Sequence, residues 1–241
     1  WLMPLIEEMD AHEDIAACQP KLLSVANRDA FEYAGASGGF IDRYGYPFCR
    51  GRIFDTVEDD NGQYDNAEEV LWATGACLMI RAKDYWAAGG LDGRFFAHNE
   101  EIDLCWRLHS RGWRIAVAPS STVFHLGGGS LNMKNPRKVY LNFRNNLLML
   151  YKNLPETALR PTMRIRALLD FLSAMVFLLT GKFRHMQAVV RARRDFRRMR
   201  PDFSASRSEN LLLGSIPAPM KPYSIVFQFY IRRRKISSRL P

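Results

Sequence analysis

The sequence predicts an α/β domain over residues 1–133 followed by a basic, mostly α-helical tail over residues 134–241. Three observations carry that division. Short apolar stretches of strand length alternate with amphipathic helical ones as far as residue 125. Beyond residue 137 the pattern is helical almost to the end. The charge also changes sign: residues 134–241 hold 23 Lys+Arg against 5 Asp+Glu, whereas residues 1–133 hold 11 against 20.

Residues 1–12 read as a helix with Leu2, Leu5, Ile6 and Met9 on one side. Residues 15–23 are apolar enough for a buried strand. From residue 24 to 69 the periodicity breaks down into a long loop rich in Gly, Asp and aromatic residues. A connection of that length in a compact domain is functional or disordered, and its density of Phe and Tyr favours order. Residues 70–81 (VLWATGACLMIR) predict a strand interrupted at Gly75, with a short helix to Ala88 after it. Gly89 and Gly90 make a turn before a helix over 99–110 that ends at Gly112. Asn99 is placed to cap that helix, with an acidic pair in its first turn. Residues 114–118 and 122–125 predict two short strands joined through Pro119. A helix over 137–151 closes at Asn153 and Pro155, and more basic helices follow. The Pro-rich stretch 216–222 sets off a last helix over 224–235.

Composition excludes several classes. At 47% hydrophobic residues, 241 residues can bury a core, so wholesale disorder is not expected. Cys18, Cys49, Cys77 and Cys105 lie far apart, without the spacing of a zinc ribbon or a disulfide framework, and suit a reducing compartment. The longest apolar run, 167–180, is too short to span a bilayer and contains Asp170. The chain opens on Trp1 inside an amphipathic pattern, as expected of a piece cut from a longer protein.

The densest chemical signal is HNEEIDLCWR, residues 98–107. Glu100 and Glu101 fall at a helix N-terminus, where free N–H groups and the helix dipole favour an anion. Their mutual repulsion pushes one pKa back up, which suits a general base near neutral pH. Asp103 and Arg107, four apart, can pair along one face and buttress the site. An acidic helix start is also common in proteins without such chemistry. His125 ends an apolar strand beside a run of glycines (STVFHLGGGS), where an imidazole can approach a metal or a diphosphate. A structural histidine is the plainer alternative. GGGS is neither a dinucleotide fingerprint nor a P-loop, since no G-K-[ST] follows.

The order of these motifs is more informative than any one of them. ATGACLMIR, then GGLDGRFFAHNEEIDLCWRLHSRGWRIAVAPSSTVFHLGGGS, resembles the C-terminal half of the catalytic domain in family 2 glycosyltransferases, above all the bacterial rhamnosyltransferase-like branch. The resemblance covers roughly residues 1–150. It implies an incomplete GT-A-type mixed sheet, the acceptor-side half. It also implies roles. Glu101 stands where the family carries the base that deprotonates the acceptor hydroxyl, with Glu in place of the usual Asp. Glu100 matches the first acid of that pair, and Asp103 and Arg107 match its supporting residues. His125 matches a histidine that helps bind the metal or the diphosphate. Trp72, Gly75 and Ala76 match the segment lining the acceptor pocket. Leu91 replaces the usual Phe of the Gly-Gly-Phe-Asp turn.

The reaction implied by the resemblance is an inverting transfer from a nucleotide-sugar donor to a saccharide or lipid-linked acceptor in cell-surface polysaccharide synthesis. A divalent metal, Mn2+ or Mg2+, would stabilise the departing diphosphate. In such relatives an Asp-x-Asp motif and the nucleotide-binding half precede the counterpart of Trp1. The chain alone is therefore expected to be inactive, with most metal ligands outside it. Aromatic residues of the loop, Tyr33, Phe40, Tyr44 and Tyr46, could stack over the acceptor or pack on the sheet edge. The basic tail predicts peripheral contact with an anionic membrane at its cytoplasmic face. A nucleic-acid-binding module is the rival reading. It lacks a helix-turn-helix, zinc or RNP signature, so no nucleic acid is expected.

Overall fold

The computed structural model describes residues 1–127, 135–213 and 216–241. The later glycines of the GGGS run and the expected boundary at 133/134 lie outside the described residues. Helix α1 (Leu2–Ala11) leads into strand β1 (Ile15–Ser24). Nearly every residue of β1 is buried, because both faces of its sheet are covered. Leu5 and Met9 of α1 pack with Ile15 and Cys18 on one face, and the main core lies on the other.

The stretch expected as a long loop is ordered, and it is not all loop. Strands β2 (Gly39–Ile41), β3 (Pro47–Cys49), β4 (Arg52–Ile53) and β5 (Thr56–Val57) form a small antiparallel sheet. Strands this short carry no period-2 signal in sequence. Strand β6 (Glu68–Glu69) joins the main sheet. The strand expected over 70–81 shrinks to β7 (Met79–Ile80), since residues 74–77 turn at Gly75. Helix α2 (Ala82–Ala87) and helix α3 (Glu100–His109) follow as the sequence predicts.

Strand β8 (Arg114–His125) replaces the two strands expected there. It runs parallel to β1, and the pairing slips where Pro20 meets Ala118, so that residues 119–121 bulge out around Pro119. The main sheet has the order β6-β8-β1-β7, with β6 and β7 antiparallel to their neighbours, and is therefore mixed.

Helices α4 (Pro136–Asn153), α5 (Glu156–Leu179), α6 (Phe183–Met199) and α7 (Ser204–Leu213) form the basic part. Leu147, Leu148, Met149 and Leu150 of α4 belong to the same core as the sheet, as do Phe196, Phe203 and Phe229. Of the last helix expected over 224–235, residues 225–231 are helical, ending in the π-helical turn Phe227–Ile231.

Candidate active site

Helix α3 is buried on nearly all sides from Ile102 to Leu108, so its first turn is held rigidly against the sheet. The chain reaches it through a strained turn. Phe96, His98 and Asn99 all have left-handed φ, at 69°, 70° and 68°. Such backbone costs about 1–2 kcal/mol per non-glycine residue and persists only where neighbours enforce it. The neighbour here is α4. The buried Asn145 amide donates to the carbonyls of Phe95 (2.9 Å), Ala97 (2.7 Å) and His98 (2.8 Å). Arg144 adds a bond to Phe95 O at 2.9 Å. Asn99 occupies the cap position in a left-handed conformation, and its side chain makes no capping bond.

This turn concentrates unpaired polar atoms. His98 Nε2, Asn99 Oδ1, Glu100 Oε2 and Glu101 Oε2 are sealed from solvent without a hydrogen-bond partner. Buried polar groups are paired as a rule, so four orphans on consecutive residues mark a place where something else supplies the partners. Burial, then the charge of Glu100, raises the Glu101 carboxyl to about 7. Burial raises Glu100 as well. Burial and the nearby Lys138 charge lower the His98 imidazole, so that it is neutral where Glu101 titrates.

Asp103 and Arg107 pair as their spacing predicts, at 2.9 Å. They take part in a buried network. Asp103 also accepts from Lys152 (2.8 Å) and Asn153 (2.8 Å) of α4, while Arg107 donates to the carbonyls of Ala88 and Gly90. Lys152 reaches Asp92 at 2.9 Å as well. Burial opposes the charge on Asp92, but bonds from Arg94 and Lys152 outweigh it and hold the carboxyl below the usual range. This network clamps α3 to α4 and to the Gly89–Gly90 turn.

The remaining sequence-predicted residues divide. Gly75 and Ala76 are exposed, and a side chain at Gly75 would touch Cβ of Glu101. Trp72 is 3% exposed; its ring lies on Gly39 and its indole N–H donates to Phe40 O at 3.0 Å. Tyr44 and Tyr46 lie against α5. Arg166 of α5 donates to Tyr44 O at 3.0 Å and lies over the Tyr46 ring, 4.2 Å from its centre. His125, at the end of β8, is partly exposed, and its Nδ1 lies 3.3 Å from Glu32 Oε2 without hydrogen-bond alignment. A Cβ at Gly127 would meet the Glu32 carboxylate, so a side chain there would have to push the end of Glu32 aside.

Sequence reasoning missed Glu32, Arg52, His98 and Lys138. The Cys49 thiol is raised by burial and feels the charges of Arg52, Glu32 and Glu101, which places these groups in one neighbourhood. Arg52 and Lys138 share the Tyr33 ring. No spacing rule joins residues 32, 52 and 138; their meeting depends on the small sheet and on the start of α4. For a metal the donor set is too small: no cluster of three or more His, Cys, Asp or Glu side chains is found among the described residues. His125 and Glu32 together offer two donors, a partial set of the kind expected if the remaining ligands lie outside this chain.

No protein-family model matches the chain. Over 56 residues, 23% of the chain, it is 39% identical to the N-acetylglucosaminyl-diphospho-decaprenol L-rhamnosyltransferase of Mycobacterium tuberculosis (strain ATCC 25618 / H37Rv), of which the match covers 18%. It is 34% identical over 56 residues to rhamnosyltransferase WbbL of Escherichia coli (strain K12), covering 23% of this chain and 21% of that protein. It is 30% identical over 88 residues to the low-salt glycan biosynthesis hexosyltransferase Agl10 of Haloferax volcanii, covering 36% and 29%. The matches thus span under a third of each curated relative. A crystal structure of GalNAc-T7 with UDP, GalNAc and Mn2+ aligns over 65% of this chain and 29% of its own, with 13% identity and a TM-score of 0.47, a partial likeness on which no inference rests. The resemblance to rhamnosyl- and hexosyltransferases of the family 2 type holds over part of the chain.

Proposed function

We propose that this chain forms the acceptor side of an inverting glycosyltransferase of polysaccharide synthesis, with Glu101 as the base. The observation that carries the reading is the run of orphan polar atoms on residues 98–101, beside a carboxyl raised to about 7. A sugar hydroxyl brings both a donor and acceptors, which is what those atoms lack. Glu101 takes the proton of the acceptor hydroxyl. The oxygen attacks the anomeric carbon of the donor from the face opposite the leaving diphosphate, which departs with the bond's electron pair and inverts the centre. Glu100 keeps Glu101 basic through its charge, and the neutral His98 can orient a second hydroxyl. Asp103 and Arg107 act through the helix they clamp. No step is assigned to a divalent cation, for which the described residues provide no three-ligand set.

The test is transfer by the complete gene product containing this chain, against a panel of nucleotide sugars and saccharide acceptors. Glu101→Gln should lower turnover by about a hundredfold or more, the usual share of a general base. Glu100→Gln should be milder, and donor binding should change little in either. A lethal Glu100→Gln with an active Glu101→Gln would move the base by one residue.

The same reading sets the helical part at the inner face of an anionic membrane. No helix among the described residues is long and apolar enough to cross one. On α5, Ile165, Leu168, Phe171, Leu172, Val176 and Leu179 are exposed at helical spacing, a face suited to lying in an interface. Exposed Arg164 precedes this face and exposed Lys182 and Arg184 follow it.

A further inference from the structure

Two consecutive aromatic residues enter the strained turn before α3, and burial accounts for only one of them. Phe95 is fully buried, its ring 5.8 Å from that of Phe203 and edge-on to it. Phe96 is 68% exposed, and its backbone sits at φ 69° and ψ −57°. That is the rare, strained conformation of a γ-turn, which a bulky residue avoids and glycine takes readily. The backbone is not free to relax, because the carbonyls of Phe95 and Ala97, on either side, both accept from the Asn145 amide. An exposed ring gains nothing from the core to offset such strain. The Arg137 guanidinium lies 5.0 Å from the ring centre, an exposed contact of small worth that leaves most of the residue open. Strain of this kind collects at ligand sites. The unpaired polar atoms of His98, Asn99, Glu100 and Glu101 follow within the next few residues, and Asn99 is only 5% exposed.

We propose that Phe96 is the platform on which a pyranose ring of the acceptor saccharide stacks, while the unpaired atoms of residues 98–101 take its hydroxyls. A pyranose is amphipathic: its C–H groups form a weakly positive apolar face, and its hydroxyls lie round the rim. The negative face of an aromatic ring complements the first, and polar atoms without partners complement the second. Phe96 and His98 are two residues apart, at most about 7 Å between their Cα atoms, so one sugar can meet both. The clamp from α4 holds the ring in place before the sugar arrives, which lowers the ordering cost of binding. The proposal rests on the glycosyltransferase reading and deepens it, by assigning recognition of the acceptor to a residue outside the acidic pair.

Saturation-transfer NMR on the chain, with methyl glycosides of glucose, galactose, N-acetylglucosamine and rhamnose, tests this without any transfer reaction. At least one glycoside should receive saturation, most strongly on the C–H protons of one ring face. Phe96→Gly should weaken that binding on the order of tenfold, the loss of one stacked aromatic contact, and Phe96→Trp should keep it. Phe96→Gly should also melt at or above the wild-type temperature, because it relieves the backbone and removes no core contact. A ring with a purely structural role would do the opposite, lowering the melt and leaving affinity intact. Should Phe96→Gly melt early, Phe96→Leu decides, since it keeps the bulk and loses only the flat face. Trp86→Ala removes another exposed aromatic residue, on α2, and should leave the signal unchanged. No bound glycoside, wild-type affinity in Phe96→Leu, or an equal loss in Trp86→Ala overturns the proposal. Saturation of geraniol in place of the glycosides would give the ring to a lipid chain and overturns it too. The base is tested apart from this: glycoside binding can fail while Glu101→Gln abolishes turnover, and the reverse.

Discussion

A carboxyl group that titrates near pH 7 leaves two separate marks, one on turnover and one on stability. If Glu101 is the base, turnover should fall as pH drops through about 7, and Glu101→Gln should lose that limb of the profile. The stability effect has the opposite sense from an ion-paired acid. The unfolded glutamate titrates near 4.5 and the folded one at about 7. Between those values the unfolded chain releases a proton that the folded chain keeps, so stability declines as pH rises. Above 7 the folded protein carries the whole penalty, on the order of 3 kcal/mol. Glu101→Gln should therefore melt higher than the wild type at pH 8 and level with it at pH 4. An equal gap at both pH values, in thermal melts by circular dichroism, would remove the burial argument for the base. His98 was legible to sequence as a member of the motif but not as a site residue. Its orphan nitrogen exists only because the left-handed turn seals it from water.

Helices α3 and α4 act as one unit, and the unit stores the strain of the turn at 96–99. Asn145 supplies the amide that three carbonyls of that turn accept. Asn145→Ala leaves those carbonyls short of a donor, which should cost about 2–4 kcal/mol and lower turnover more than donor binding. Chemical denaturation and a split of kcat from KM check the two halves of that expectation. Asp103 gives a second handle on the same unit. Lys152→Met would remove one of its two buried cations and leave Arg107, with an expected loss of about 3 kcal/mol. A loss near zero would mean that Arg107 alone neutralises Asp103. The pairing of Asp103 with Arg107 follows from their spacing on a helix. Lys152, 49 residues further on, could be found only by knowing which face of α4 meets α3.

Over the whole molecule the charge is less free than the composition suggests. Arg144, Lys152, Arg166 and Arg207 are buried, and Arg193 pairs with the buried Asp170. The cations left for a partner are the exposed ones around the apolar face of α5 and on α6, among them Arg164, Lys182, Arg184, Arg197 and Arg198. Each such side chain near an anionic surface contributes on the order of 1 kcal/mol. The chain should co-sediment with vesicles containing phosphatidylserine but not with neutral vesicles, and added salt should weaken the binding. Leu168→Glu/Phe171→Glu should abolish it by removing the apolar insertion. Equal binding to neutral vesicles, or none at low salt, would leave the face of α5 without a membrane role.

The sequence by itself determined the buried strand at 15–24, helices α1, α3 and α4, the step in charge, and the motif order that carries the family resemblance. These are local: periodicity, caps and turns act over a few residues, and a motif is read along the chain. It also determined Glu100 and Glu101 as the acidic pair. Tertiary structure alone decided that residues 24–69 fold into a small sheet, because two-residue strands are held by their partners rather than by their own propensity. It decided that Trp72 packs on Gly39 and that Arg166 of α5 reaches the Tyr44 carbonyl and the Tyr46 ring, contacts that no local pattern marks. It brought Glu32, Arg52 and Lys138 into one neighbourhood around Tyr33. These residues lie tens of positions apart in the chain, and only the packing of the small sheet against the start of α4 brings their charges together.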